Sequence, residues 1–298
     1  MFEAFFHLRC DPFAVSPDPQ FLYPTRAHTE AVAGLFYGLQ AQKGVMALSG
    51  EVGTGKTLVL RCLMRSLDPE RVVCAYVFHT LLAGEELLRY IMAALGVETP
   101  AQGKAEMLLQ LGAHLARQHQ RGVTSALILD EAQNLSFESL EEIRLLTNLE
   151  TADTKLLQVI LAGQPELDEK LQSFPLRQLR QRITLRFHLP PLGETETEAY
   201  IERRMRLAGG EGREAFSPGA RERIYEYSRG VPRLINVLCG AALLAAYGLG
   251  TPKVSAALLD EVAADLGLTV NSTRNARPVP EPAAQVAAPR AVRQEVAL

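Results

Sequence analysis

The sequence predicts an α/β fold in which helices cover both faces of a parallel sheet, followed by a smaller all-helical domain. Between residues 44 and 190, short apolar runs alternate with segments of helical periodicity, which is typical of parallel strands joined by helices. Beyond two prolines at 190 and 191, residues 192–268 contain only helical patterns. We therefore expect an N-terminal arm and helix at 1–43, a core at 44–191, a helical lid at 192–268 and a disordered Pro/Ala-rich tail at 269–298.

The predicted strands are apolar runs whose length suits burial on both faces of a sheet. They span residues 45–49, 72–78, 125–130, 156–163 and 183–189. Residues 85–95 and 104–118 place leucines on one helical face. In the lid, helices are expected at 196–209, 217–230, 232–248 and 255–267, with Ser217 and Ser255 suited to their starts.

Composition excludes several classes of protein. The net charge of the 298 residues is −3, with 31 basic and 34 acidic side chains, so no basic field advertises nucleic acid or a membrane surface. The four cysteines form no CxxC pair, which favours free thiols in a reducing cytosol. The longest apolar stretch, 234–250, contains Asn236 and is short for a membrane span. No secretion signal or transmembrane segment is predicted.

The strongest motif is GEVGTGKT at 50–57, which fits the phosphate-binding pattern GxxxxGK[ST] between a predicted strand and a predicted helix. Its backbone N–H groups and the helix N-terminus suit phosphate oxygens. Lys56 is expected at the β and γ phosphates of ATP, and Thr57 at Mg²⁺. The expected nucleotide-binding residues are Gly50, Glu51, Val52, Gly53, Thr54, Gly55, Lys56, Thr57 and Leu58.

A second motif places two acids at the end of a buried strand. In ALILDEAQNL, residues 126–135, four apolar residues precede Asp130 and Glu131. Such acids near a phosphate loop hold Mg²⁺ and orient the attacking water. We expect Asp130 to hold the metal through water and Glu131 to polarise the catalytic water.

These motifs resemble those of the AAA+ ATPases and, more narrowly, of the general secretion pathway protein A family. The resemblance covers residues 1–267 and rests on GEVGTGKT, LILDEAQNLS, LLQVILAGQPELDEKL, LRQLRQRITLRFHLPPL and GVPRLINVLC. It implies an αβα core with a helical lid, Mg-ATP hydrolysis and a role in secretion, pilus assembly or export at the cell envelope. A homo-oligomer is expected.

The AAA+ resemblance also implies three further roles. The strand at 156–163 should lie between the phosphate-loop strand and the acid-bearing strand, which makes Gln164 a candidate sensor of the γ-phosphate. Arg182, and after it Arg180, is the expected finger toward a neighbouring subunit's γ-phosphate, with Arg177 a third arginine in the same segment. Arg233, in the first turn of a lid helix, is unfavourable against the helix dipole and is expected to contact phosphate.

The sequence departs from the family at two places. Longer members continue into a transmembrane helix and a peptidoglycan-binding domain, so wall binding does not carry over. The second strand ends at His79, where the family resemblance leads us to expect an asparagine that restrains the catalytic glutamate; His79 either replaces it or is a plain strand-end residue.

Three functions remain open from the sequence. The first is a cytoplasmic envelope-associated ATPase, peripheral to the inner membrane through a protein partner. The second is a DNA-associated regulator of the transposition type, against which stand the negative charge and the few residues after 268. The third is a nucleotide-gated module with negligible turnover, against which stands Glu131.

Overall fold

The computed structural model describes residues 2–78, 82, 84–97, 103–209 and 215–269. The predicted His79 site and nearly all of the predicted tail lie outside these residues. The strands form near the predicted runs, with ends that differ by at most one residue. They are β1 (Val45–Gly50), β2 (Val72–Val77), β3 (Thr124–Leu129), β4 (Leu157–Gly163) and β5 (Ile183–Leu189).

The strands form one parallel sheet in the order β2-β3-β4-β1-β5. The predicted five-stranded parallel sheet is confirmed. As expected, β4 lies between β1 and β3. Because all five strands run the same way, the C-terminal ends of β1, β3 and β4 meet at one edge of the sheet, where ligands bind in open α/β folds.

Helices flank the sheet and make up the lid. Six precede β4: α1 (Phe2–Phe5), α2 (Arg26–Gln40), α3 (Lys56–Ser66), α4 (Gly84–Ala94), α5 (Lys104–Gln120) and α6 (Phe137–Leu146). Two connect β4 to β5: α7 (Pro165–Gln172) and α8 (Arg177–Arg182). Four form the lid: α9 (Glu194–Leu207), α10 (Pro218–Ser228), α11 (Pro232–Gly248) and α12 (Ala256–Asp265).

Each face of the sheet has its own apolar core. On one face, α2 and α3 bury leucines such as Leu35 and Leu60 against Ile128 and Ile160. On the other, α4 to α8 pack residues such as Ile91 and Leu111 against Leu127 and Val159. Alternate residues of β3 and β4 therefore point to opposite cores, which explains why these strands are apolar throughout.

A third core lies within the lid, and the N-terminal arm (residues 1–25) belongs to it. Phe6, Leu8 and Phe13 are buried in the same cluster as Phe216 and Leu243, and the rings of Phe13 and Phe216 lie 6.0 Å apart at 88°. The aromatic side chains of the arm therefore pack on the lid, where they are removed from water.

The lid joins the sheet through a close backbone contact. The N–H of Leu192 donates to the carbonyl of Gly230 at 2.8 Å. Gly230 has φ 73°, and a Cβ placed on it would lie 1.8 Å from the carbonyl oxygen of Leu192. Only glycine fits both the left-handed backbone and this approach.

None of the helices in the described ranges is both long and apolar enough to cross a membrane.

Candidate functional site

The phosphate loop begins where β1 ends and closes at the first residue of α3. Gly53 and Gly55 have φ of 83° and 104°, a backbone region that glycine adopts without a steric penalty. A Cβ on Gly53 would lie 2.7 Å from the Cβ of Arg233, so glycine also lets the lid approach the loop. The N–H of Arg233 donates to the carbonyl of Gly53 at 3.3 Å.

Lys56 lies inside the loop. Its ammonium donates to the carbonyls of Gly50 at 2.8 Å and Glu51 at 3.0 Å, and only 5% of the residue is exposed. Burial lowers the pKa of Lys56, and the charges of Glu131 and Asp130 oppose that shift. A cation held among carbonyl oxygens with little solvent is suited to exchange those contacts for phosphate oxygens.

Asp130 is the point where three elements meet. Its Oδ2 accepts hydrogen bonds from the hydroxyls of Thr57 at 2.8 Å and Tyr76 at 2.5 Å, while Oδ1 accepts from the N–H of Glu131 at 3.0 Å. Thr57 is the second residue of α3, and Tyr76 lies on β2. A buried carboxylate beside a hydroxyl supplies the hard oxygen ligands that Mg²⁺ prefers, so these residues fit that ion.

Glu131 has a left-handed backbone, with φ 53° and ψ 38°, which costs a non-glycine residue free energy. Its Oε2 accepts from Nε2 of Gln133 at 2.6 Å and from Nε2 of Gln164 at 3.1 Å. Burial raises the pKa of Glu131, but the two amides and the charge of Lys56 outweigh it and leave the pKa below its ordinary value. The carboxylate is therefore ionised and fixed in direction.

A cleft of about 360 Å³ joins the loop to the lid and the arm. This volume lies in the range of pockets for small ligands. Lys56, Thr57 and Glu131 of the core line it together with Arg233 of the lid. The remaining lining residues are Val15, Ser16, Pro17, Val52, Gly53, Gly55, Leu58, Tyr200, Arg204, Pro232 and Asn236.

The structure brings most of the predicted residues together. Asp130 and Gln164 do not line the cleft themselves but contact it through Thr57 and Glu131. Gly50, Glu51 and Thr54 form the back of the loop, where the Thr54 hydroxyl donates to the carbonyl of Glu51 at 2.8 Å.

The two predicted finger arginines lie on α8, away from the cleft of their own chain. The Nη1 of Arg182 donates to the Thr147 hydroxyl at 2.7 Å, so its guanidinium is already bound within the chain. Arg180 is exposed. Arg177 stacks 4.2 Å from the ring of Phe174.

Several contributors were missed from the sequence. Gln133, inside the quoted motif at 126–135, was given no role although it holds Glu131. His28 also lies behind the loop, where its Nε2 hydrogen-bonds the carbonyl of Thr54 at 3.0 Å. Tyr200 and Arg204 stand four residues apart on α9, and this spacing places them on one face; a cation beside an aromatic on an inward face was the available signal. No sequence pattern indicated that the arm residues Val15, Ser16 and Pro17 line the cleft.

Comparison with known proteins finds an AAA domain in this chain and a relative among secretion pathway proteins. The family profile of an AAA domain matches residues 39–171. General secretion pathway protein A of Aeromonas hydrophila is 43% identical over 255 residues, which are 85% of this chain and 46% of that protein. The chain thus spans about half the length of this curated relative.

Two solved structures share the fold at low identity. The ORC2 protein of Aeropyrum pernix, in its ADPNP-ADP complexes, has a TM-score of 0.60 and 20% identity, over 85% of this chain and 71% of its own. Cdc6p of Pyrobaculum aerophilum has a TM-score of 0.63 and 18% identity, over 85% of this chain and 70% of its own.

Proposed function

Because this chain belongs to the AAA+ family of P-loop ATPases, as a relative of general secretion pathway protein A, we propose that it binds Mg-ATP in the cleft and hydrolyses it. The observation that carries the proposal is the convergence of Lys56, Thr57 and Glu131 of the core with Arg233 of the lid on one cleft. Two cations suit the polyphosphate, and the single carboxylate suits the water.

In this proposal each residue has one task. Lys56 and the N–H groups of the loop bind the phosphates, and Arg233 closes the lid over them. Thr57 and Asp130 hold Mg²⁺, which when bound supplies positive charge beside the phosphates. Glu131 orients a water and takes its proton as the water oxygen bonds to the γ-phosphorus and ADP leaves. Gln164 and Gln133 keep the carboxylate aimed.

The test pairs two variants in an ATP titration and a phosphate-release assay. Lys56→Ala should weaken ATP binding roughly 10- to 100-fold, because it removes a charge-assisted contact. Glu131→Gln should bind ATP normally and lose about 10²-fold or more in turnover. Lys253→Ala and Glu261→Gln, on exposed lid residues, are the matched controls. Normal affinity in Lys56→Ala, or normal turnover in Glu131→Gln, would contradict the proposal.

The active form is proposed to be a homo-oligomer in which an arginine of one subunit reaches the γ-phosphate of the next. The engagement of Arg182 with Thr147 leads us to favour the exposed Arg180 over Arg182, the reverse of the order expected from the sequence. An arginine finger typically contributes about 10³-fold or more to turnover.

We further propose that the ATPase acts in the cytoplasm, against a protein partner of an envelope secretion or export system at the inner membrane. Support comes from the similarity to general secretion pathway protein A, which is 43% identical, and from four free cysteines, as expected in a reducing compartment. Net charge −3 gives no electrostatic support for a DNA-associated role. Cell fractionation tests the idea: recovery only away from the membrane, with and without ATP, would contradict it.

A further inference from the structure

Arg204 is a buried cation with an unused donor. Only 5% of the residue is exposed. Its Nη1 donates to the carbonyl of Pro12 at 2.8 Å, but its Nε is buried and has no hydrogen-bond partner among the residues that the structure describes. A buried donor without a partner is costly, and more so in a charged group. At Arg204 this unpaired donor belongs to a residue that also lines the cleft, which is where a ligand could reach the side chain.

The guanidinium of Arg204 lies at the cleft and is held in place from two directions. It stands 4.9 Å from the ring of Phe21 and 5.1 Å from that of Tyr200. Two such cation–π contacts restrict the position of the guanidinium at the cleft. The residue lines the cleft together with Lys56 and Arg233.

We propose that Arg204 is a third cationic nucleotide-binding residue, whose guanidinium edge binds an oxygen of the nucleotide's phosphate chain. The inference rests on the proposed ATP site. The fit is one of chemistry: the edge of a guanidinium is suited to phosphate oxygens, and the anion supplies the charge that burial otherwise leaves uncompensated. This role is separate from those proposed for the phosphate loop and for Arg233.

The same side chain ties nucleotide to the arm. While the edge of Arg204 binds nucleotide, its Nη1 holds Pro12, and the arm continues as the cleft wall at Val15–Pro17. Arg61 of α3 holds the carbonyl of Pro17 at 2.7 Å. Arg204 would then contact the nucleotide and the arm at the same time. Bound nucleotide therefore stabilises the docked arm, because undocking of the arm would break both contacts of Arg204.

The experiment uses the full chain with Arg204→Met, Arg204→Lys and the control Arg203→Met. Arg203 is the neighbouring residue on α9 and also has a buried Nε without a partner in the described residues, yet it does not line the cleft. The probes are titration with fluorescent mant-ADP and hydrogen exchange of residues 12–24, each with and without nucleotide.

Arg204→Met should weaken mant-ADP binding roughly 10- to 100-fold, and nucleotide should no longer slow exchange in the arm. Arg204→Lys keeps the charge and the aliphatic stem, so it should fold and show a smaller loss of affinity. Arg203→Met should bind as the wild type does and keep the protection of the arm.

Circular dichroism and thermal unfolding without nucleotide separate binding from folding. If Arg204→Met or Arg204→Lys lowers stability but binds mant-ADP with wild-type affinity, Arg204 is structural only and the inference is overturned. An equal loss in Arg203→Met overturns it as well. Failure of the wild-type protein to bind mant-ADP is a different result, because it overturns the proposed function itself.

Discussion

Nε2 of Gln164 lies 3.1 Å from Oε2 of Glu131, although the two residues leave the sheet from different strands. Gln133 bonds the same oxygen at 2.6 Å and, through its Oε1, accepts from the N–H of Gln164 at 3.1 Å. Both side-chain amides thus hold the Glu131 carboxylate, and the backbone of Gln164 in turn holds the side chain of Gln133. The direction of the Glu131 carboxylate therefore depends on β3 and β4 together.

Gln164→Met is expected to lower turnover roughly 10- to 100-fold, since it removes a hydrogen bond to a charged group. ATP affinity should change little, because Gln164 does not line the cleft. Phosphate release and ATP titration measure the two effects, with Gln172→Met on the exposed side of α7 as the control. A loss confined to affinity would show that Gln164 acts on binding instead.

Tyr76→Phe is expected to change the dependence on Mg²⁺. Burial, together with the hydrogen bond to Asp130, raises the pKa of Tyr76, so the hydroxyl stays a donor and helps hold Oδ2. Without it, the Mg²⁺ concentration for half-maximal turnover should rise a few-fold, while mant-ADP affinity in EDTA stays the same. Tyr37→Phe, on a tyrosine that is 55% exposed, should match the wild type. Identical Mg²⁺ curves for all three proteins would remove any role for Tyr76.

His28→Gln is expected to flatten the pH dependence of stability. Burial lowers the pKa of His28, against a smaller opposing effect of Glu196, so the unfolded chain binds a proton before the folded one does. Stability is then fully present above the unfolded pKa of about 6.5 and falls as the pH drops below it.

Urea unfolding at pH 7.5 and pH 5.5 measures this difference. Burial also lowers the pKa of His114, so part of the wild-type slope should remain in the variant. If the free energy of unfolding changes with pH by the same amount in His28→Gln and in the wild type, His28 does not contribute to the pH dependence of stability.

Arg180→Ala is expected to abolish stimulation between subunits and to leave folding unchanged. Arg182→Ala should instead lower stability by about 1 kcal/mol, because it breaks the bond to Thr147. Turnover per subunit should rise with protein concentration in the wild type, and mixing Arg180→Ala with Lys56→Ala should restore some activity. Arg177→Ala is the control. If the specific activity stays constant on dilution, the result would contradict the oligomer and indicate that the protein acts as a monomeric switch.

The fold was predictable because β1 to β4 are largely apolar runs and β5, ITLRFHL, alternates apolar and polar residues as a half-exposed strand does. The alternation of strands and helices then allows few topologies. Lys56, Thr57 and Asp130 were predictable for a similar reason: two motifs fix their spacing within strand-to-helix turns. Helices α6 to α8 were not assigned from the sequence. α7 and α8 are short, with 8 and 6 residues, and give little periodicity. α6, FESLEEIRLL, has apolar residues at helical spacing and was overlooked.

What the sequence did not indicate depends on contacts between distant segments. Arg204 meets Pro12 across 192 residues, and no local pattern encodes that contact. Tyr76 reads as one more β-forming residue in an apolar strand until the sheet places its hydroxyl on Asp130. The choice between Arg180 and Arg182 depended on Thr147, a residue that had drawn no attention.

The close backbone contact between Leu192 and Gly230 means that a change at one glycine can alter the position of the lid. The added methyl of Gly230→Ala cannot fit 1.8 Å from the carbonyl oxygen of Leu192, so it acts as a wedge where the lid meets the sheet. Arg233 lies three residues further along the chain, where its N–H contacts the phosphate loop at Gly53. Gly230→Ala is therefore expected to displace Arg233 while leaving the residues of the loop itself unchanged. This variant could be used to isolate proteins that bind the chain when its lid is displaced. Nucleotide-bound wild-type protein would serve as the comparison.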